Sequence, residues 1–197
     1  MTGYGQDRMT WARRPLCRRY VLGVFDAAAV RWREAGGQSA HRVHWAFGWL
    51  ADGECEPLGV WIERAPDGVF LMLADLQARG VERIWRVAGT ESWQIDERTA
   101  PALLGKRMRL SADQLAPDAS AASPQHEMVS AQLVVDQVRE GLIRALRRRG
   151  SFDGEADAFG FVAGVLQRAE RRLDRERLLA KGLLRLDAGV QIVTPGA

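Results

Sequence analysis

The chain has 197 residues, of which 47% are hydrophobic and 27% are charged, so one sizeable core is expected and disorder is excluded as the main state. The formal net charge of +3 is unevenly distributed along the chain. The net charge is +4 in residues 1–19, −5 in residues 20–138 and +5 in residues 139–186. An acidic middle between two basic ends indicates a polyanionic partner. Nearly all the bases are arginines, which bind phosphate well, although a GC-rich genome would explain the arginines equally well.

Cysteine content and hydropathy indicate the cellular compartment of the protein. Cys17 and Cys55 are too few for a disulfide framework or a four-ligand zinc site, so we expect both to be reduced in a cytoplasm. The sequence contains no run of about 18 uncharged apolar residues and no apolar stretch after its charged start. We therefore expect a cytoplasmic protein with no membrane contact.

The first elements form a meander of three strands. Tyr20 to Phe25 and the residues up to a polar turn at 33–37 are typical of a strand, and residues 43–49 and 57–62 are typical of two more. Asp52-Gly53 between the last two is the strongest short hairpin motif in the chain. A helical spacing at residues 69–76 and a strand at 81–87 complete the order β-β-β-α-β, which predicts an α/β fold.

The second half is predicted to be helical. Residues 116–127 have the composition of a linker, and two helices are expected at residues 128–149 and about 155–186. In the first helix, apolar residues recur at helical spacing, namely Leu133, Val134, Val138, Leu142 and Leu146. The expected divisions are a basic arm at 1–19, a core at 20–115, the linker at 116–127, a helical region at 128–186 and a tail at 187–197.

The stretch from Asp26 to Val87 resembles the catalytic core of Mutator-type bacterial insertion-sequence transposases. The matching pieces, in order, are Asp26-Ala27, Arg33-Glu34-Ala35-Gly36, Ala46-Phe47-Gly48, Asp52-Gly53, Glu56-Pro57-Leu58-Gly59, Phe70 and residues 75–81. The ordered set is more specific than any one piece. It implies a ribonuclease H-like mixed sheet, with the helical region added at the C-terminus.

The resemblance also implies a catalytic centre with which the sequence can be compared. Such transposases use two aspartates and a glutamate to hold two metal ions, because hard divalent cations prefer several oxygen ligands. Asp26 falls on the first aspartate, whereas Ala88 stands where the second is expected. A methyl group cannot ligate a metal, so we expect Asp26 to be a remnant, although Glu91 or Asp96 is an alternative source of the missing carboxylate.

Two further departures suggest a degenerate relative. The family's motif of Cys, His and a following Arg aligns best with Leu133, Asp136 and Arg139, which retains only the arginine. The family's N-terminal DNA-binding region has no counterpart in the nineteen residues before the first strand. We therefore expect no cofactor, with Mg²⁺ or Mn²⁺ bound at Asp26 only if activity is retained.

Other candidate sites carry less weight. His41 and His44 lie three residues apart at the start of a predicted strand, which places them on opposite faces and disfavours a metal site. The candidate DNA contacts are nine residues in three groups. They are Arg31, Trp32 and Arg33, then Arg147, Arg148 and Arg149, then Arg168, Arg172 and Arg175.

The leading hypothesis is therefore an inactive transposase-like protein that contacts DNA phosphates without sequence preference. The alternative is a non-catalytic interaction module that pairs with a second copy or another protein through its C-terminal helices. An enzyme that remains active through an altered set of carboxylates is a third hypothesis.

Overall fold

The computed structural model describes residues 10–34, 36–63, 68–89, 104–109 and 124–180. A short helical turn at residues 10–12 precedes the first strand. The elements then follow as β1 (Arg19–Glu34), β2 (Gly37–Trp49), β3 (Cys55–Ile62), α1 (Gly68–Ala78), β4 (Arg83–Gly89), β5 (Leu104–Arg109), α2 (Pro124–Arg149) and α3 (Glu155–Ala180). None of the helices within the described residues is long and apolar enough to cross a membrane.

The five strands form one mixed sheet in the order β3-β2-β1-β4-β5. β1 is antiparallel to β2 and parallel to β4, while β4 is parallel to β5. The predicted Asp52-Gly53 turn joins β2 to β3, and Gly53 has the positive φ of 81° that such a turn requires. β1 is therefore the central strand, and its side chains are positioned by partners on both sides.

Each face of the sheet is buried by a different group of helices. One hydrophobic cluster contains Phe25 and Ala46 of the sheet together with Met72, Leu73 and Leu76 of α1. The larger cluster joins the opposite face to α2 and α3. Burial of both faces explains the long apolar runs along β1 and β2, which carry little of the alternation seen in half-exposed strands.

The predicted order β-β-β-α-β and the two C-terminal helices are confirmed. The structure differs from the prediction in its fifth strand, in the start of α2 and in the exposure of one apolar residue. β5 was not predicted, because its sequence Leu-Gly-Lys-Arg-Met-Arg has no apolar alternation. α2 begins at Pro124, inside the predicted linker. Leu133, one of the apolar residues at helical spacing in α2, is 58% exposed, whereas Ala131 and Val135 are buried.

The basic residues before β1 are docked against the core by Arg14. Its guanidinium donates to Glu56 of β3 at 3.2 Å and to Glu170 of α3 at 2.6 Å. Trp11 donates its indole N–H to the second oxygen of Glu170 at 2.6 Å. Burial raises the pKa of Glu170, and Arg14 and Trp11 counter this effect by stabilising its carboxylate. Arg14 thus links the start of the described chain, the sheet and the last helix.

We expect Arg14→Ala to lower the free energy of unfolding by about 1–3 kcal/mol, because it leaves two half-buried carboxylates without their cation. Urea denaturation followed by circular dichroism measures the change. Arg13→Ala, which removes an exposed arginine one residue away, is the matched control and should be nearly neutral. Equal stability of the two variants would contradict the docking role of Arg14.

Candidate functional site

Asp26 lies on the central strand with its side chain fully buried. It follows Leu22 and Val24 at intervals of two, and both of these belong to the cluster beneath α2 and α3. Phe25 is the last residue of β1 that pairs with β4, so Asp26 stands just beyond the end of that pairing. The sheet therefore directs one carboxylate towards the helical layer.

Arg139 of α2 provides the counter-charge for this carboxylate. Its Nε lies 3.0 Å from Asp26 Oδ2, and its Nη2 donates to Oδ1 at 3.0 Å. The backbone N–H of Ala27 also donates to Oδ1, at 2.7 Å. An isolated carboxylate in the core would cost several kcal/mol, and a guanidinium that meets both oxygens offsets this cost. Arg139 sits at the edge of the buried face of α2, next to Val138 and one turn before Leu142.

Ala88 occupies the position next to this pair in the sheet. It is fully buried, pairs in register with Val24, and lies in the same cluster beneath α2 and α3. Ala88 and Asp26 are thus diagonal neighbours on adjacent parallel strands and face the same layer. A methyl group therefore lies on β4 beside the buried carboxylate of Asp26.

The described residues do not fit a site for two metal ions. No group of three or more Asp, Glu, His or Cys side chains that could hold a metal ion occurs among them. Asp26 already meets Arg139 through both oxygens, and Ala88 offers no ligand. Glu91 and Asp96, the alternative carboxylates, lie outside the described residues.

The two histidines of β2 point to opposite faces, as predicted. His41 stacks on Trp32, with 3.5 Å between ring centroids and an angle of 2°, and its Nε2 lies 3.0 Å from Glu34. His44 is buried and lies 3.2 Å from Glu63. Burial lowers the pKa of His44. Each ring therefore has its own structural partner, and the pair does not form a metal site.

Two of the predicted arginine groups are brought together by Phe152, in the turn between α2 and α3. Its N–H donates to the carbonyl of Arg31 at 2.9 Å, and its carbonyl accepts from the N–H of Arg33 at 3.3 Å. This bridge attaches the end of α2, with Arg147, to the far end of β1. Arg31 and Arg33 are exposed, and so are residues 147–149. The exposed arginines around Phe152, called the basic surface below, are thus brought near one another, with the side chains of Arg31 and Arg33 directed to the sheet face opposite that of Trp32.

Trp32 lies beneath this surface and not on it. Its side chain is 5% exposed, and its indole N–H donates to Glu34 at 3.1 Å. In this conformation the ring is unavailable for stacking on a base. Arg149, in the same basic surface, already has partners within the protein. It lies 2.9 Å from Asp157 and over the ring of Phe152.

The third arginine group lies on α3, where its members are exposed. Arg172 donates to Gln137 of α2 at 2.7 Å and lies 3.3 Å from Glu176. Arg168 and Arg175 flank it on the same side of the helix. The group is separate in sequence from the surface at Phe152 and is partly neutralised by its acidic neighbours.

Two features of this region were not predicted from the sequence. Arg139 was identified only as the surviving residue of a motif, although a charge beside an apolar helix face suggests a buried partner. The role of Phe152 had no sequence pattern, because a single bridge between a turn and a strand end depends on the tertiary arrangement.

Comparison with known proteins relates the first half of the chain to one family. Residues 6–89 match the family model described as transposase, Mutator family. A probable transposase for insertion sequence element ISRM3-like from Sinorhizobium fredii (strain NBRC 101917 / NGR234) is 38% identical over 76 residues. The transposase for insertion sequence element ISRM3 from Rhizobium meliloti (strain 1021) has the same identity over the same length.

The similarity is confined to part of each protein. The matched segment is 38% of this chain, and it spans 19%, or about a fifth, of the length of each of these relatives. The resemblance inferred from Asp26 to Val87 is confirmed, and the model places Asp26 and Ala88 inside the matched residues.

A double-mutant cycle tests the coupling of Asp26 to Arg139. We expect Arg139→Met to cost about 3 kcal/mol, the lower end for a buried pair, because its side chain is 30% exposed. The Asp26→Asn/Arg139→Met double variant should recover much of this loss, since no uncompensated charge remains. Chemical denaturation of the four proteins gives the coupling energy.

Arg144→Met is the control on the same helix, because Arg144 is exposed. Its effect should be small and unchanged in the Asp26→Asn background. Additive effects of the Asp26 and Arg139 substitutions would show that the pair is not coupled.

Proposed function

We propose that this chain, whose residues 6–89 are similar to Mutator-family transposases, is a transposase-like protein that associates with DNA and has lost strand-transfer chemistry. The observation that carries the proposal is the pairing of Asp26 with Arg139 beside Ala88. A guanidinium neutralises the carboxylate that the family resemblance assigns to a metal. The same protein retains exposed arginines suited to DNA phosphates.

A ribonuclease H-like fold is part of this proposal. The order β3-β2-β1-β4-β5 supports it, with two antiparallel neighbours followed by a parallel β4 and β5. α1 connects β3 to β4 and packs on one face, as a crossover between strands of one sheet requires. Asp26 on the central strand and Ala88 on β4 then stand at the two aspartate positions that the resemblance implies.

The charges around Asp26 support the proposed loss of strand-transfer chemistry. Two metal ions need several converging carboxylates, whereas the described residues bring one carboxylate and one guanidinium to this place. Arg139 would repel a divalent cation placed at Asp26, because both carry positive charge at short range. No catalytic step through a metal is therefore assigned to Asp26.

The basic surface around Phe152 supports the proposed association with DNA. Arginine binds phosphate through two parallel hydrogen bonds, and such contacts carry no sequence information. Arg31 and Arg147 have no ion pair within the described part of the chain, so both are available to a polyanion. The arginines at 168, 172 and 175 are proposed as a second, weaker contact, because acidic residues of α3 lie among them.

Self-association through the C-terminal helices is the second candidate. The specific observation in its favour is Leu133, which is 58% exposed on α2. Most of the apolar face of each helix is already buried, because it packs against the sheet.

A cytoplasmic location is also part of the proposed function. It is supported by the two cysteines, which are both free.

Salt-titrated binding to a duplex of random sequence, measured by fluorescence anisotropy, tests DNA association. For Arg31→Ala/Arg33→Ala/Arg147→Ala we expect weaker binding and a salt slope shallower by up to about 3, since each lost phosphate contact removes about 0.9. Arg13→Ala/Arg18→Ala/Arg19→Ala is the matched control, because it removes the same charge from exposed residues before and at the start of β1.

The control should bind nearly as well as the unsubstituted protein. Loss of affinity that is equal in both triple variants would assign binding to net charge and not to this surface. Absence of binding even at low salt would end the DNA hypothesis. A dimer mass that falls to a monomer in Leu133→Glu would favour self-association.

A plasmid-nicking assay with Mn²⁺ tests the loss of chemistry. We expect the unsubstituted protein and Asp26→Ala to leave supercoiled DNA equally intact, because Asp26 is held by Arg139 and Ala88 is no ligand. Mn²⁺-dependent nicking that disappears in Asp26→Ala would show that another carboxylate completes the site. That result would overturn the proposed inactivity and leave the DNA-binding proposal standing.

A further inference from the structure

We propose that the open edge of β1 beneath α2 binds the free C-terminal end of another protein chain as a short parallel strand. The inference goes beyond the proposed DNA association and does not depend on it. It rests on backbone groups of β1 that have no partner among the described residues, on an apolar wall contributed by α2 and on one arginine at the end of the groove.

β1 extends well beyond the strand beside it. Its pairing with β4 ends at Phe25, whereas its pairing with β2 continues in register to Glu34. The next partner on the β4 side is Phe152, which forms a parallel bridge with Trp32. Within the described residues no strand pairs with the edge between these points, and a groove of about 840 Å³ lies there. β2 therefore holds this part of β1 extended while its other edge is open.

Phe152 shows how a parallel segment bonds to this edge. Its N–H donates to the carbonyl of Arg31 at 2.9 Å, and its carbonyl accepts from the N–H of Arg33 at 3.3 Å. The backbone groups of alternate residues in a strand point to the same edge. The N–H and C=O groups of Ala27 and Ala29 therefore point to the groove, on the same edge as those of Arg31.

Four backbone groups on this edge have no hydrogen-bond partner within the described chain. They are the carbonyl of Ala27, the N–H and the carbonyl of Ala29 and the N–H of Arg31. The N–H of Ala27 is satisfied, because it donates to the Asp26 carboxylate at 2.7 Å. Two peptide residues opposite Ala28 and Val30 would bond all four groups by repeating the pattern of Phe152.

The mixture of donors and acceptors favours a peptide backbone over a polyanion. A phosphate offers only acceptors, so it would leave the carbonyls of Ala27 and Ala29 unbonded. An extended peptide supplies an N–H and a C=O from every second residue, at the same repeat as β1 itself. Addition of a peptide strand to an open sheet edge is a common mode of protein recognition.

The walls of the groove select apolar side chains. Residues that pair across parallel strands place their side chains on the same face of the sheet. Val30 belongs to the cluster beneath α2 and α3, and Ala28 packs against it. Ile143 and Leu146 of α2 line the groove above this face. The peptide residues opposite Ala28 and Val30 would therefore pack against the helix, and we expect both to be apolar.

The far end of the groove requires the peptide to terminate. A peptide parallel to β1 runs towards Phe152, and Phe152 and Gly150 line that end of the groove. Because Phe152 already occupies the edge opposite Trp32, the peptide residue opposite Val30 is the last for which the edge has room. Its terminal carboxylate would accept from the N–H of Arg31.

Charge complementarity supports a free carboxylate at this place. Of the described residues that line the groove, none is acidic. Arg139 is neutralised by Asp26, and the side chain of Arg31 points to the other face of the sheet. Arg147, in the last turn of α2, also lines the groove and has no ion pair within the described residues. It is therefore the cation available to the terminal carboxylate.

Methylated peptides test the strand pairing on the full, unsubstituted chain. The probe is a fluorescein-labelled hexapeptide, Gly-Ser-Thr-Val-Thr-Val, with a free terminal carboxylate, followed by fluorescence anisotropy. N-methylation of both valines removes the N–H groups that would bond the carbonyls of Ala27 and Ala29, so we expect binding to weaken by about tenfold. N-methylation of both threonines, whose N–H groups would point away from β1, is the matched control and should change binding by less than about twofold.

A terminal amide tests the placement of the carboxylate. We expect the amidated probe to bind about fivefold more weakly than the free acid, because it lacks the charge that pairs with Arg147. Arg147→Met should abolish this difference between the two probes. Arg148→Met, which removes an exposed arginine that does not line the groove, is the matched control and should preserve it.

Three results would overturn the inference. Absence of probe binding at about 1 mM, or equal losses for the two methylated peptides, would exclude the strand pairing. An amide effect that persists in a folded Arg147→Met variant, checked by thermal unfolding, would exclude the carboxylate site. Binding of duplex DNA, measured separately on the same protein, decides the proposed function alone, since no arm of the peptide experiment contains DNA.

Discussion

A buried carboxylate on the central strand is the constraint around which the helical layer is arranged. Asp26 has no access to solvent, so a cation must reach it from the protein, and Arg139 does so from α2. This ion pair holds α2 over β1 together with the buried apolar face of the helix. The same placement brings the end of α2 to the far end of β1, where Phe152 closes the connection. The ion pair and the Phe152 bridge thus attach α2 to β1 at two separate places.

The uneven distribution of charge along the sequence has an internal role as well as an external one. Arg14 binds Glu56 of the acidic middle, Arg18 pairs with Glu82, and Arg177 of α3 lies 2.8 Å from Glu54. Basic ends and acidic middle therefore attract each other within the fold, at half-exposed sites where each pair contributes modestly. Arg31 and Arg147, which have no ion pair within the described residues, are the arginines near Phe152 that we propose as the polyanion contact.

The segment similar to transposases and the contact that neutralises Asp26 involve different parts of the chain. Similarity over residues 6–89 relates strands β1 to β4 and α1 to Mutator-family transposases, and it covers Asp26 and Ala88 but not Arg139. The partner that neutralises Asp26 comes from α2, outside the matched segment. The proposed loss of chemistry therefore depends on a contact between the family-like part and the helical part, 113 residues apart in sequence.

The sequence alone determined the order of strands and helices, the Asp52-Gly53 hairpin and the alanine at position 88, because apolar runs, turn residues and residue identity act locally. The sequence did not predict β5, because the charged residues of this strand give it no apolar alternation. It also did not predict the exposure of Leu133, because α2 has more apolar positions than its single buried face can hold. Only the tertiary structure decided that Arg139 meets Asp26, that Trp32 is buried and that the backbone of Arg31 meets Phe152 after α2. Each of these depends on which distant surfaces pack together, and periodicity along a single element does not encode that information.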